Sequence, residues 1–353
     1  MPFMQTAHNI YIHVPFCASK CRYCAFYSRA IAPDWDGYLA GILSELDYWA
    51  ARLGRIDVPT VFFGGGTPSL MPTRVFAAIM DKIRTDFNLA FDAEITLESN
   101  PGTIDAVRIS EFKAAGVNRL SIGVQSLSDD ELEFLGRRHN TRDAIAAIDA
   151  GRRAGLRTSA DFIYGLPGHT VGDVVRLCRD INALGLSHCS MYELSIEAGT
   201  PFAQMNLAMP DNDTMAEMYM AISDNLNLPR YEVSNYATSG DECRHNANIW
   251  AGAPYIGIGR AAAGRVLIDG TWYDQMGAGA RCEKLSSDVR AVEKVMTGMR
   301  TIRGVELTDD VRAAINWDWV TAHPDLVDVS LSRISARPAG LLTLDNILLE
   351  LIG

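Results

Sequence analysis

The chain has 353 residues, of which 48% are hydrophobic, a proportion that is ordinary for a globular protein with a sizeable core. Its formal net charge of −11 argues against broad, nonspecific binding of nucleic acid, because such binding needs a basic surface. The N-terminus lacks the basic and apolar regions of a secretory signal, and no apolar run reaches membrane-spanning length. Together with the seven cysteines, these features predict a cytoplasmic protein whose thiols stay reduced.

Three closely spaced cysteines follow the first predicted strand, 10–14, which Pro15 ends. Cys17, Cys21 and Cys24 have the spacing C-x3-C-x2-C, and so short a loop can turn three sulfurs toward one inorganic centre. Thiolates suit zinc or iron–sulfur clusters. Structural zinc usually takes four protein ligands, often as two separated C-x2-C pairs, and the sequence lacks a second such pair. A 4Fe–4S cluster on three cysteines would leave one iron open to another ligand.

The cysteine loop and its flanks, Y-I-H-V-P-F-C-A-S-K-C-R-Y-C, resemble the signature of the radical S-adenosylmethionine (SAM) superfamily. In that superfamily the open iron binds the amine and carboxylate of SAM, and one electron from the cluster cleaves the sulfonium to give a deoxyadenosyl radical. The flanks are most similar to one branch, the oxygen-independent coproporphyrinogen III oxidases and their heme-chaperone relatives of the HemW type. The alternative, three cysteines that only pack or form chance disulfides, is disfavoured because further motifs follow in the expected order.

The hydrophobic pattern as far as residue 194 alternates between strand-like and helical periods. Predicted strands are 10–14, 58–63, 94–98, 118–124, 156–164 and 188–194. Predicted helices are 34–53, 73–87, 104–115, 129–135, 142–154 and 171–184. Such alternation predicts an α/β fold with a parallel sheet and right-handed crossovers, either open or curled into a barrel. The resemblance favours a partial (β/α)6 TIM-like barrel, with ligands at the carboxyl ends of its strands.

The alternation changes after about residue 203. Helices are predicted at 213–226, 288–301 and 341–351, and a strand at 230–236. A Gly- and Ala-rich zone, 250–280, indicates close packing beside a ligand or an irregular connection. We therefore predict a radical SAM core domain over residues 1–235 and a smaller C-terminal α+β domain over 236–353 that packs on it.

Polar residues and glycines stand where the predicted strands end, which is where a barrel binds its ligands. Glycines after a strand let the backbone approach a ligand closely, and the guanidinium of Arg137 offers a fork that matches a carboxylate. Taken singly, a tight turn, a solvated charge or packing in the core would explain each of these residues. The resemblance implies that the following residues contact SAM: Tyr11, Tyr23, Gly65, Gly66, Thr67, Glu98, Gln125, Arg137 and Asp161.

A second motif, C-R-H-N-A-N-I-W, resembles the H-N-x-x-Y-W motif of the heme-chaperone relatives, in which that motif is associated with heme binding. Imidazole is the common axial ligand of heme iron and thiolate is another, so His245 is the first candidate and Cys243 the second. The sequence departs from the family pattern at Ile249, where tyrosine is usual, and at Ala263, where relatives often carry histidine. A structural turn with a packed Trp250 is the alternative.

Three functions remain open at this stage. A heme chaperone would keep the SAM and cluster site and deliver heme to acceptor proteins. An oxidase would use the radical to abstract hydrogen from propionate side chains of coproporphyrinogen III, and a third possibility is another radical SAM enzyme, for example one acting on RNA. In the oxidases the loop continues as C-x3-C-x2-C-x-C, whereas Phe26 occupies the last position here, and only ten residues precede Tyr11 where the oxidases have a longer segment. No added basic or RNA-binding module is visible, so the chaperone is the predicted function; the oligomeric state is left open.

Overall fold

The computed structural model describes residues 6–276 and 281–352. The strands are β1 (Asn9–Val14), β2 (Asp57–Gly65), β3 (Asn88–Ser99), β4 (Arg119–Gln125), β5 (Arg157–Tyr164), β6 (His188–Glu193), β7 (Asn235–Ala237), β8 (Tyr255–Ile258), β9 (Gly264–Ile268), β10 (Thr271–Gln275), β11 (Cys282–Lys284), β12 (Val305–Glu306), β13 (Val327–Val329) and β14 (Arg333–Ala336). The α-helices are α1 (Trp35–Leu53), α2 (Thr73–Asp86), α3 (Ala106–Ala115), α4 (Asp129–Leu135), α5 (Thr141–Arg153), α6 (Val171–Leu184), α7 (Asn212–Asn225), α8 (Arg244–Trp250), α9 (Ser287–Gly298), α10 (Asp309–Ala313), α11 (Trp317–Ala322), α12 (Pro338–Leu342) and α13 (Leu344–Leu351).

One large sheet holds the first eleven strands of the described residues, in the order β11-β10-β9-β8-β1-β2-β3-β4-β5-β6-β7. Strands β1 to β6 are parallel and adjacent in chain order, and helices connect them. Strand β8 adds to the other side of β1 in parallel, while β7 pairs with β6 in antiparallel orientation. The predicted α/β class with a parallel sheet is therefore confirmed, and the sheet extends beyond the six predicted strands on both sides.

The helices cover one face of this sheet because their apolar residues recur at helical spacing. In α1, Ile42, Leu46 and Trp49 lie four and three residues apart and are buried. The helix begins after Asp34, whose carboxylate accepts a hydrogen bond from the backbone N–H of Gly37 at 2.9 Å. The alternate strand residues that meet the helices, such as Val61 in β2, are apolar. The main core thus lies between sheet and helices and leaves the opposite face of the sheet available for polar side chains.

That opposite face carries rows of polar residues across neighbouring strands. Glu98 in β3 is level with Ser121 in β4, which is level with Ser159 in β5. One step further along, Gly123 is level with Asp161, and Asp161 with Ser190. Since side chains alternate between faces along each strand, these residues all point to the side away from the helices.

The C-terminal part has a core of its own. Strands β12, β14 and β13 form a small antiparallel sheet that packs with α9 to α13 around buried residues such as Val295, Val311 and Ile334. Strands β8 to β11, which follow residue 236, nevertheless belong to the large sheet. The division at 235/236 stays a prediction.

Three local predictions after residue 203 need correction. Only the last two residues of the predicted strand 230–236 lie in β7; Arg230 and Glu232 make isolated bridges instead. The zone 250–280 contains β8, β9 and β10 rather than an irregular connection, and residues 277–280 lie outside the described residues. Its small residues serve strand packing, since a Cβ on Gly257 would lie 2.2 Å from the carbonyl oxygen of Ala263. The predicted helix 341–351 is interrupted at Thr343.

Candidate functional site

A cavity of about 360 Å³ opens at the carboxyl ends of the parallel strands. One wall is the cysteine loop between β1 and α1, and the floor includes Glu98 on β3, Ser121 and Gly123 on β4, and Asp161 on β5. All three cysteines line this cavity, as does every residue predicted to contact SAM except Tyr11. The structure thus brings together residues from position 17 to position 161, as the resemblance implied.

The cysteine loop is held at both ends by backbone hydrogen bonds. The N–H of Arg29 donates to the carbonyl of Pro15 at 2.7 Å, and the N–H of Cys17 donates to the carbonyl of Arg29 at 3.0 Å. The segment after β2 docks against the start of the loop, because Gly66 N–H donates to Val14 O and Thr67 N–H to Phe16 O, both at 2.7 Å. A Cβ on Gly66 would lie 2.6 Å from Phe16 O and 3.0 Å from the Sγ of Cys17. Glycine is required there for steric reasons.

The three thiols fit an iron–sulfur cluster better than a single metal ion. All three are free and half-buried. In the part of the chain that the structure describes, no three His, Cys, Asp or Glu side chains converge as they would on one ion. A 4Fe–4S cluster is wider than an ion and accepts more widely separated thiolates. Burial raises the pKa of the Cys24 thiol, so binding of iron there must displace a proton.

Arg137 links the cysteine loop to the floor of the cavity. One Nη donates to the Sγ of Cys21 at 3.2 Å, and the other donates to the carbonyl of Gly123 at 2.7 Å and to the side chain of Asn100. Asn100 in turn donates to the hydroxyl of Thr67 at 3.0 Å. This hydrogen-bonded chain fixes one cysteine relative to the glycine segment that faces it.

Two carboxyl groups lie on the cavity floor and favour a cationic ligand. Glu98 accepts from the backbone N–H of Gly65 at 3.0 Å, and Asp161 accepts from the hydroxyls of Ser190 at 2.7 Å and Ser121 at 3.2 Å. Burial, followed by the negative charge of Asp161, raises the pKa of Glu98 to about 8, and burial also raises the pKa of Asp161. A nearby positive charge would stabilise both carboxylates, and SAM carries a sulfonium and an amine.

Gln125 lies at the edge of the cavity and has an unusual backbone conformation. Its φ of 72° lies in the left-handed region, where residues other than glycine are uncommon, and the β4–β5 register shifts next to it. Strained backbone of this kind concentrates at functional sites. The irregularity turns Gln125 into the cavity at the end of β4.

Tyr11 lies below the cavity rather than in its lining. Its hydroxyl is 3.0 Å from Nδ1 of His13, whose Nε2 lies 2.9 Å from the carbonyl oxygen of Tyr27. Because a carbonyl can only accept, Nε2 carries the proton and Nδ1 accepts from Tyr11. His13 therefore tethers the far end of the cysteine loop to β1, and Tyr11 supports it.

The two heme-ligand candidates lie at the opposite end of the strands. His245 is 3% exposed, its Nδ1 is 2.7 Å from the hydroxyl of Thr60, and its backbone N–H donates to Glu94 at 2.9 Å. The ring packs against Phe62 with a centroid separation of 5.0 Å. Burial lowers the pKa of His245 to about 4 and raises that of Cys243 to about 11. Neither side chain is open to heme iron in this conformation, so the residues present do not fit that group here.

Sequence reasoning missed several residues of the cavity. Asn100, Ser121, Tyr192 and Glu193 line it, although none was predicted. A signal was available in β4, where R-L-S-I-G-V-Q alternates polar or small with apolar residues. Buried parallel strands usually read as continuous apolar runs, so this alternation indicates a strand with a functional face.

Fold and site define a radical SAM protein, and the comparisons agree. The family model described as "Radical SAM superfamily" matches residues 11–181. Coproporphyrinogen III oxidase (HemN) from Escherichia coli superposes with a TM-score of 0.81 at 20% identity, covering 98% of this chain and 89% of that one. At that identity the likeness concerns the fold.

Three relatives are closer in sequence. Heme chaperone HemW of Escherichia coli K12 is 39% identical over 74% of this chain and 70% of its own. Heme chaperone HemW of Mycobacterium tuberculosis CDC 1551 is 34% identical over 98% of this chain and 95% of its own. A mitochondrial radical S-adenosyl methionine domain-containing protein 1 of Bos taurus is 37% identical over 85% of this chain and 70% of its own. The chain belongs to the HemW family of radical SAM proteins. None of the helices in the described residues has the length and apolar character needed to span a membrane.

Proposed function

We propose that this protein is a heme chaperone that carries a SAM-binding 4Fe–4S cluster and delivers heme to acceptor proteins. Relatives that bear the name heme chaperone match it at 34% identity over nearly the whole chain and at 39% over three quarters of it. The observation that carries the cluster part of the proposal is that Cys17, Cys21 and Cys24 line one cavity together with all but one of the residues that the resemblance implies for SAM.

Different residues of the chain have different roles in this cavity. Cys17, Cys21 and Cys24 would hold the cluster, and the cluster would supply the electron needed for SAM chemistry. The backbone of Gly65 and Gly66 lets the ligand approach closely, while Glu98 and Asp161 attract its positive charge. The contact between Arg137 and the carboxylate of SAM stays a prediction, since the guanidinium already holds Cys21, Gly123 and Asn100.

The second candidate function is the oxidase, because the structure of coproporphyrinogen III oxidase (HemN) superposes on 98% of this chain. Against it stands Phe26, which occupies the position of the fourth cysteine of the oxidase loop and is 70% exposed at the rim of the cavity. A phenyl ring cannot provide the thiolate that the oxidases have there.

One experiment separates the two functions. After anaerobic reconstitution, we expect iron–sulfur absorption near roughly 410 nm, typical of thiolate-bound clusters, together with saturable heme binding and no SAM-dependent conversion of coproporphyrinogen III. The triple variant Cys17→Ala/Cys21→Ala/Cys24→Ala should lose the absorption, whereas Cys282→Ala should keep it. Turnover of coproporphyrinogen above a trace would favour the oxidase, and a normal cluster in the triple variant would refute the site.

Binding of heme through the second motif would require a rearrangement of α8. Heme iron could reach His245 only after α8 leaves Glu94 and the imidazole leaves Thr60. The assignment of His245, or of Cys243 after it, therefore stays a prediction from the sequence motif.

A further inference from the structure

The cysteine loop carries only positive charges, although the chain as a whole has a net charge of −11. Residues 16–33 include Lys20, Arg22 and Arg29 and contain no aspartate or glutamate. Two more arginines reach the same loop from elsewhere in the fold: an Nη of Arg138 lies 3.4 Å from the carbonyl oxygen of Ala18, and the guanidinium of Arg260 lies 5.5 Å from the ring centroid of Tyr27. We call these five exposed cations the basic collar: Lys20, Arg22, Arg29, Arg138 and Arg260.

The basic collar is not neutralised by the protein itself. Lys20 and Arg22 donate to the backbone carbonyls of Phe26 and Phe134, and Arg29 lies 5.9 Å from the ring centroid of Tyr27. Within residues 6–276 and 281–352, no carboxylate forms an ion pair with any of the five, whereas cations such as Arg74 and Arg244 do have such partners. Five like charges close together repel one another, so their clustering costs stability unless a negative partner binds.

Two exposed apolar side chains accompany the collar on the same loop. Phe26 is 70% exposed and Ile31 is 53% exposed. A few apolar groups ringed by charges are what a small, transient protein–protein interface offers, and complexes between redox proteins are at the small end of the range.

We propose that the basic collar, with Phe26 and Ile31, is the docking surface for a small acidic protein that carries single electrons, such as a reduced iron–sulfur or flavin carrier. The inference rests on the proposed function, because it needs the cluster on Cys17, Cys21 and Cys24. The loop that holds these cysteines also carries three of the cations, and Lys20 and Phe26 line the same cavity as the cysteines, so a partner bound there would lie beside the cluster. One electron would pass from the reduced centre of the carrier to the oxidised cluster. No covalent bond forms or breaks in this step, and no proton is transferred.

Charge and extent favour this partner over other anions. Heme has two propionates, too few to neutralise five cations that come from three separate segments. A long nucleic acid would run beyond the collar onto a surface that is acidic overall. A small acidic protein presents several carboxylates within one compact patch, and opposite charges speed its diffusional encounter.

The test is the rate at which a reduced plant-type [2Fe–2S] ferredoxin, used as the acidic probe, reduces the reconstituted protein in a stopped-flow experiment. We expect the second-order rate constant of the wild type to fall as ionic strength rises, and Arg138→Glu/Arg260→Glu to lower it about tenfold at low salt. The matched control is Arg142→Glu/Arg303→Glu, which makes the same charge change at two exposed arginines outside the collar. Photoreduction by a neutral deazaflavin should proceed equally in all three proteins, which shows that the cluster itself is unchanged.

Equal rates for the two double variants, or a rate independent of salt, would refute the docking surface. So would a collar variant that loses heme binding or RNA binding while its reduction rate is unchanged. Cluster content and heme titration are measured on the same samples. A fully loaded, heme-binding protein with an unaffected ferredoxin rate would therefore reject the docking surface alone, whereas loss of the cluster from the wild type would reject the proposed function.

Discussion

Gly66 is a position where the absence of a side chain matters for the cluster site. Its α-carbon faces the Sγ of Cys17 and the carbonyl oxygen of Phe16, and its N–H donates to the carbonyl of Val14. An added methyl group would meet backbone at 2.6 Å, which cannot be relieved by turning a side chain. The segment after β2 and the cysteine loop would have to separate.

We therefore expect Gly66→Ala to reduce cluster content several-fold after reconstitution, measured as iron per chain and as absorption near roughly 410 nm. Gly41→Ala is the matched control, because Gly41 lies in the middle of α1 with nothing within 4 Å of an added Cβ. Alanine at that position should raise the free energy of unfolding by about 0.5–1 kcal/mol and leave the cluster unchanged. Full cluster content in Gly66→Ala would show that the loop does not need this close approach.

Helix α8 packs against the amino-terminal parts of β1, β2 and β3. Glu94 accepts the backbone N–H groups of both Arg244 and His245 and also a guanidinium N–H of Arg157 at 2.8 Å. Phe62 separates His245 from Tyr11, which lies nearer the cavity. The motif linked to heme in the family therefore has a structural role in this conformation.

We expect His245→Ala to lower the free energy of unfolding by about 2–4 kcal/mol, because it leaves a buried cavity beside Phe62 and removes a partner of Thr60. Urea unfolding measures this, with Asn246→Ala, a partly exposed neighbour on the same helix, as the control. The heme spectrum of the folded variant then tests the ligand assignment. A shifted Soret band would show that α8 opens to bind heme, and an unchanged band would exclude His245.

The sequence predicted the alternating part of the fold well because each element there has a strong period and a clear end. Gly116 and Gly155 close α3 and α5 as expected, and the six predicted strands are all present. The errors fall where strands are short, as in β7 to β10, since three to five residues give too little periodicity to recognise. Contacts such as those of Arg137 with Cys21, or of His245 with Thr60, join residues more than a hundred positions apart and have no local signal.

The buried carboxyl groups of the cavity make the free energy of unfolding of the protein depend on pH. Glu98 has a pKa of about 8 in the folded protein, against an ordinary value of 4.5. Between these values the folded protein binds more protons than the unfolded chain, so its free energy of unfolding falls as pH rises through this window. The raised pKa of Asp161 acts in the same direction, whereas the lowered pKa of Glu94 acts in the opposite one.

We expect Glu98→Gln to remove the contribution of Glu98 to this decline. Without cluster or SAM, the variant and the wild type should differ little near pH 4.5, and the variant should be the more stable protein above pH 8. Urea unfolding across the pH range provides the measurement, and Glu133→Gln, an exposed position on α4, is the control. A variant whose stability declines with pH as steeply as that of the wild type would contradict the assignment.

The position of β1 in the sheet has a consequence for the order of events during synthesis. The cysteines leave the ribosome early, but Gly66, Arg137 and Asp161, which complete their surroundings, follow much later in the chain. One flank of β1 pairs with β2 and the other with β8, which begins only at Tyr255. The nascent chain thus exposes three thiols long before it can enclose them, and we expect iron–sulfur assembly on this protein to follow the synthesis of most of the polypeptide.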